Sequence, residues 1–200
     1  NQNKILYVLG PSLIWNFPRS LHISHNFYNQ SEKLRINFFN SLDKDQKNKI
    51  IFRIYPYKSY EGMRNFYEDK FIDSKNISKN SRFVDDVNKS SILIFDHLST
   101  ANLECASIEK PFLMFFNSNS YPLSEKGKKI IKLLKDNGIY HDDYKSLSKL
   151  LIQLNDTDIL NWWNEKKRHE ATKQFINQYA YFSSTAIEDW SNLIKKQNEF

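Results

Sequence analysis

Two uninterrupted apolar runs, Ile92-Leu93-Ile94-Phe95 and Phe112-Leu113-Met114-Phe115-Phe116, constrain this chain more than any other feature. A strand with one wet face alternates apolar and polar residues. These runs do not, so both faces must be covered, as in a parallel sheet sandwiched by helices. Between them, Ser99 or Thr100 caps a predicted helix over Thr100–Glu109, and Pro111 restarts the chain as a strand. The result is a strand–helix–strand unit with a right-handed crossover. Its polar cluster, Asp96, His97, Ser99 and Thr100, falls at the carboxyl end of the first strand and the amino end of the helix. Open α/β sheets bind ligands there. Unpaired helix N–H groups and the helix dipole favour an anion.

The flanking chain repeats the alternation. Lys4–Gly10 reads as a buried strand. Pro11–Asn26, with Ser12, Trp15, Asn16, Arg19, His22 and His25, is a long polar and aromatic loop of the kind that often carries function. Asn26–Leu42 reads as a helix, Asp43–Lys49 as a charged connection and Ile50–Tyr55 as a strand. An unpaired guanidinium is not tolerated in a buried strand, so Arg53 is expected to emerge at the carboxyl edge. Next come a helix over Tyr60–Lys70, a short edge strand over Phe71–Ile77, and a helix over Ser81–Lys89 that sets Phe83, Val84 and Val87 against the sheet. After Phe116, a helix over Ser124–Asn137 stops at Gly138, and Ile139-Tyr140-His141 is a last short strand. Asp142 or Asp143 caps Tyr144–Leu154; Asp156–Asn164, Glu165–Phe182 and Thr185–Lys196 complete a helical tail. The expected fold is α/β, a Rossmann-like three-layer sandwich with a mostly parallel sheet. Residues 1–142 form this α/β domain, and residues 143–200 are C-terminal helices packing on it or on a partner domain.

Charge narrows the partners. The net charge is +6 and the pI about 9.2, which suits anionic ligands. The lysines are scattered and form no stripe with interleaved aromatics, so no nucleic-acid partner is expected. The single cysteine, Cys105, rules out an internal disulfide and suits a reducing compartment. No run approaches the roughly 20 apolar residues of a membrane span. With no signal-peptide pattern, a cytoplasmic location is expected. The chain begins at Asn1 and enters a strand at Lys4, and reads as a piece of a longer protein.

Six motifs in order carry a resemblance: KILYV at 4–8, RIYP at 53–56, FDHLST at 95–100 with Glu104, KPFLMFF at 110–116, NGIYHD at 137–142 and DILNWW at 158–163. Over nearly its whole length the chain resembles the carboxyl-terminal half of a family of bacterial transferases from surface-polysaccharide (O-antigen or capsule) clusters. These look like GT-B glycosyltransferases, with two Rossmann-like domains facing across a cleft. The resemblance implies a nucleotide-sugar donor held by this half, and a glycan or lipid-linked acceptor at the inner face of the membrane. It also implies an N-terminal domain of the same chain carrying the acceptor's base, so that the piece alone is inactive. The chain departs from better-known GT-B families in lacking their Gly-rich segment before the ribose-binding glutamate.

On these terms the catalytic candidates are Arg53 and His97. The donor-binding candidates are Arg19, Tyr55, Lys58, Ser99, Thr100 and Glu104. Arg53 and Arg19 are suited to fork a diphosphate, with Lys58 a third cation. His97 offsets departing charge as imidazolium or donates one hydrogen bond when neutral. Ser99 and Thr100 offer hydroxyls and helix N–H groups to phosphate, or act as N-cap. Glu104 accepts from ribose hydroxyls or is a solvated helix glutamate. Tyr55 or Tyr57 stacks on the base or packs in the core. Asp96, which would repel phosphate, is assigned to holding His97 or loop N–H groups. His22 and His25 lack a third ligand, so no metal and no cofactor are expected. Trp162-Trp163 reads as core or inter-domain packing. The alternative is a non-catalytic nucleotide- or protein-binding module; a receiver domain is disfavoured because Gly10-Pro11-Ser12 stands where its acidic cluster belongs.

Overall fold

The computed structural model describes residues 4–10, 25–54, 61–154, 159–180 and 183–197. In chain order the elements are β1 (Ile5–Val8), α1 (His25–Ser41), α2 (Lys44–Lys49), β2 (Ile50–Arg53), α3 (Glu61–Lys70), α4 (Phe83–Asn88) and β3 (Ile92–Phe95). There follow α5 (Thr100–Ser107), β4 (Phe112–Phe115), α6 (Glu125–Asp136), β5 (Tyr140–His141), α7 (Tyr144–Gln153), α8 (Ile159–Trp163), α9 (Lys166–Tyr179) and α10 (Ala186–Gln197). The five strands form one sheet, all parallel, in the order β2-β1-β3-β4-β5. This is the α/β sandwich expected from the unbroken apolar runs.

Each strand feeds two cores by alternation. Tyr7, Phe52, Ile94 and Phe115 point into one core, which α1, α3 and α7 close with Phe38, Phe39, Tyr67 and Leu147. Leu6, Leu93, Phe95, Phe112 and Met114 point into the other, closed by Cys105, Ile130, Leu134 and Phe175 from α5, α6 and α9. The chain leaves β1 for β2 on one side and returns past β1 to β3 on the other. Right-handed crossovers then require α1 and α5 to lie on opposite faces, as they do. The reversal makes the gap between the carboxyl ends of β1 and β3 the switch point of the sheet.

Several local expectations give way to the structure. Residues 44–49 are helical rather than a charged connection. Asp43 accepts from the Gln46 N–H at 2.8 Å, and the Gln46 side chain accepts from the Asp43 N–H at 2.9 Å; this capping box holds a helix with no apolar stripe. Phe71–Ile77 is not a strand. Ser74–Asn76 is a 3-10 turn capped by Asp73, and Ile77 alone makes a parallel bridge, to Phe52. In α4, Val87 is buried but Val84 is 41% exposed and faces away from the sheet. Gly138 ends α6 at φ 71°, and Asp143 caps α7 by accepting from Ser146 N–H at 2.9 Å. No helix among the described residues is long and apolar enough to cross a membrane.

Candidate functional site at the switch point

Gly10 leaves β1 and Asp96-His97 leaves β3 side by side. Asp96 is 7% exposed and uses both oxygens. Oδ1 accepts from the Gly10 N–H at 2.5 Å and lies 3.1 Å from His97 Nδ1. Oδ2 accepts from Arg35 Nε at 2.6 Å. Asp96 thus holds both His97 and loop backbone, the role assigned to it from sequence.

Arg35 is a member of this cluster that the sequence reading missed. It reaches from α1 into the interior, 3% exposed. Besides Asp96 it donates to Glu32 Oε1 at 2.5 Å and to the Tyr67 hydroxyl at 2.8 Å. Tyr67 in turn donates to Glu32 at 2.7 Å. A buried guanidinium survives because every side of it meets an acceptor. Burial alone would raise the Asp96 carboxyl, but Arg35 and His97 outweigh it and hold it below the usual range. Tyr7 and Tyr67 are raised chiefly by burial, so both stay neutral phenols. The signal for Arg35 in the sequence was faint: one arginine three residues after Glu32 in a polar helix, indistinguishable from a solvated pair.

Gly10 is a glycine for want of space. A Cβ there would sit 2.8 Å from Asp96 Oδ1 and 2.8 Å from the His97 ring. The backbone that leaves β1 therefore lies directly against the imidazole.

Ser99 is the N-cap of α5, and its N–H and hydroxyl both donate to Asn102 Oδ1, at 2.7 and 2.8 Å. Asn102, also unpredicted, donates from Nδ2 to the His97 carbonyl at 3.1 Å and so ties the helix start to the loop. Thr100 and Glu104 are exposed, one turn apart on the same side of α5. Beside Ser99 opens a largely apolar cavity of about 580 Å³, walled by Leu123 and Ile130 of the α6 side and by Phe175 and Tyr179 of α9.

Arg53 stands where the sequence reading placed it but is buried rather than presented to a ligand. It does stand at the carboxyl end of β2, but it does not emerge. Its guanidinium is paired with buried Asp86 of α4 and donates to the carbonyls of Asn80 (3.1 Å) and Ser81 (3.2 Å). Asp86 also accepts from Ser78 and Asn80 side chains. The strand tolerates the charge because it is paired, not because it reaches solvent. Arg19, Tyr55, Lys58 and His22 lie outside the described residues. Among the described residues no three His, Cys, Asp or Glu side chains are grouped to hold a metal. Burial pushes the Cys105 thiol up to about 12, which removes it as a nucleophile at neutral pH.

The motif NGIYHD and the tryptophan pair meet at the far edge of the sheet. Arg168 of α9 donates to the Asn137 carbonyl at 3.1 Å, to Glu165 at 2.8 Å and to the Trp162 carbonyl. Its guanidinium lies 4.0 Å from the Trp162 ring centroid. Trp163 packs into the core on Phe112, centroids 5.3 Å apart. These residues clamp α6, α8 and α9 together.

A protein-family model described as the LIC12162 family transferase matches residues 1–194. The chain belongs to the LIC12162 family of transferases. Neither a curated protein nor a solved structure matches it. In this LIC12162 family member, the groups gathered at the switch point are the Gly10 N–H, the Arg35, Asp96 and His97 side chains and the start of α5.

Proposed function

We propose that this transferase is the donor-binding half of a nucleotide-sugar-dependent glycosyltransferase of surface-polysaccharide assembly, with a glycan or lipid-linked acceptor. The observation that carries the reading is the convergence of His97 and the amino end of α5 at the β1/β3 switch point. Helix N–H groups and an imidazole there meet a diphosphate without needing a metal. Thr100 and Glu104, exposed on one side of α5, are free to approach the ribose and phosphate.

In this reading the donor's diphosphate lies across the end of β3. Transfer breaks the bond between the sugar's anomeric carbon and the distal phosphate oxygen. Charge grows on that oxygen, and stabilising it is the task of this half. His97 and the α5 dipole supply part of that stabilisation, and Arg19 and Lys58 are the cations proposed to add to it. Tyr55 is proposed to stack on the base. Arg53 enters only indirectly, by fixing β2 to α4. Deprotonation of the acceptor hydroxyl falls to an N-terminal domain of the same chain, as the resemblance implies.

The test is calorimetric titration with UDP, GDP, CDP and CMP, alongside Thr100→Ala and Glu104→Ala variants. Both substitutions are on exposed positions, so the fold is preserved. Selective binding of one nucleotide, weakened by both variants, is expected. Binding left intact by both would remove α5 from the site and this reading with it.

A further inference from the structure

We propose that the cavity beside Ser99 is a binding site for one hydrocarbon chain, the tail of the lipid-linked acceptor. The cavity holds about 580 Å³ between α5, α6 and α9. Its apolar walls are Leu98, Leu103, Leu123, Ile130, Ile131 and Phe175. Among the described residues no charged side chain lines it. Ligand pockets are commonly of this size and mostly apolar.

The polar groups on its walls argue against a nucleobase or a sugar as the occupant. Asn102 has the amide that could read a base edge, and that amide is already spent. Its Oδ1 accepts from the Ser99 N–H and hydroxyl, and its Nδ2 donates to the His97 carbonyl. Ser124 Oγ accepts from the Gly127 N–H at 3.1 Å, and the Tyr179 hydroxyl accepts from Gln178 Nε2 at 2.8 Å. A base or sugar enclosed here would leave most of its polar edges unpaired, which is costly. A hydrocarbon chain has no such edges.

Gly127 adds an independent observation. It is buried in the first turn of α6. A Cβ there would lie 3.5 Å from Ser124 Oγ and 3.6 Å from both Leu123 Cβ and the Tyr179 hydroxyl, all ordinary contacts. Alanine would fit and is the better helix former. Packing therefore does not demand the glycine, and its missing side chain leaves room in the cavity wall.

Position links the cavity to the switch point. α5 follows β3 and α6 follows β4, so their caps, Ser99 and Ser124, stand at the carboxyl edge of the sheet. A chain in the cavity carries its head group to that edge, near His97. That the chain belongs to an acceptor rests on the function proposed above; the cavity's selection of a chain does not.

The experiment adds farnesyl phosphate, below its micelle concentration, to protein with 13C-labelled methyl groups. It reads the Leu103, Leu123, Ile130 and Ile131 signals. Dimethylallyl phosphate, the same head on a much shorter chain, is the control. Farnesyl phosphate is expected to move these signals and to bind at least about fiftyfold tighter than the control, since each buried methylene is worth about fourfold. Gly127→Leu, which fills the cavity from its own wall, is expected to weaken farnesyl phosphate at least about tenfold by displacing buried methylenes. Gly127→Ala is expected to fold at least as stably as wild type. Should Gly127→Leu fail to fold, the wild-type methyl signals decide. Unmoved methyl signals overturn the inference, and so does equal affinity for the two phosphates. UDP moving the same methyl groups would make the cavity a base pocket and overturn it too. Farnesyl phosphate bound by a protein that binds no nucleotide removes the donor reading and leaves the chain site standing. Nucleotide bound with the methyl groups unmoved by farnesyl phosphate does the reverse.

Discussion

Two arginines illustrate what a residue's neighbours in sequence conceal. Arg53 and Arg35 both end as buried cations, one paired with Asp86 and one with Glu32 and Asp96. For Arg53 the conflict between a charge and an apolar strand was legible, but it was read as an exit to solvent, and the structure resolves it with a buried partner instead. That partner was not legible, since Asp86 is 33 residues away on a helix. For Arg35 even the conflict was hidden, because helix α1 is polar enough to pass for a solvated surface. The two pairs yield separate predictions. Arg53→Ala strands Asp86 and is expected to cost about 3–5 kcal/mol in urea unfolding. The double variant Arg53→Met, Asp86→Leu is expected to recover most of that loss. If Arg53→Ala instead left stability unchanged and abolished nucleotide binding, Arg53 would be a phosphate ligand after all. Gly10→Ala is a second probe at this scale. Its methyl meets Asp96 and the His97 ring at once. A destabilisation of about 1–3 kcal/mol is expected, with weaker nucleotide binding in the same preparation.

At the scale of elements, the sequence announced the strands and misjudged what lay between them. Uninterrupted apolar runs identify buried parallel strands because few other structures can hide them. Helix α2 carried no such signal, since a capping box rather than an apolar stripe holds it. Phe71–Ile77 looked like an edge strand, yet Asp73 accepts from the Lys75 N–H and bends the chain into a 3-10 turn before pairing can spread. The β5–α7 corner makes a prediction about pH. His141 is buried, which lowers its pKa; its Nε2–H donates to the Gly138 carbonyl at 3.1 Å, which pulls weakly the other way. The unfolded value is about 6.5. The folded state disfavours the charged ring, so stability is full above that pH and is lost as pH falls from there through the lowered folded value. His141→Gln is expected to flatten the slope below pH 6.5 in thermal unfolding. Asp96 acts lower on the scale. Its folded pKa is depressed below an unfolded value of about 3.9, so the stability it lends is full above that and disappears as pH falls through the folded value. A slope below pH 6.5 that survives His141→Gln would assign it to another group. The Arg168 clamp is the other test. Losing its charged hydrogen bonds and the contact with Trp162 is expected to cost about 2–3 kcal/mol in Arg168→Ala, with Arg168→Lys intermediate because a point charge cannot make the fork.

Across the whole molecule, the C-terminal helices divide by what they bury. α9 belongs to the sandwich: Phe175 is 5.9 Å from Phe112 by ring centroids, and Ala171 and Thr172 are buried. α10 does not. Ile187 is 86% exposed, Trp190 67%, and Leu193 and Ile194 54% each. Their spacing of three and four residues puts them along one side of the helix. A 12-residue helix has little stability of its own in water. α10 therefore adds no core, and the periodicity that made it readable as a helix says nothing of what that side meets. Removing residues 183–200 is expected to change urea-unfolding stability by no more than about 0.5 kcal/mol. Phe175→Ala, one helix earlier, is expected to cost about 3–5 kcal/mol by opening a cavity beneath the sheet. Equal losses from the two changes would mean that α10 is packed against the sandwich in solution. A loss confined to Phe175→Ala would leave the Ile187–Ile194 side as apolar surface held in reserve for another body, which is where the proposed second domain would have to be sought.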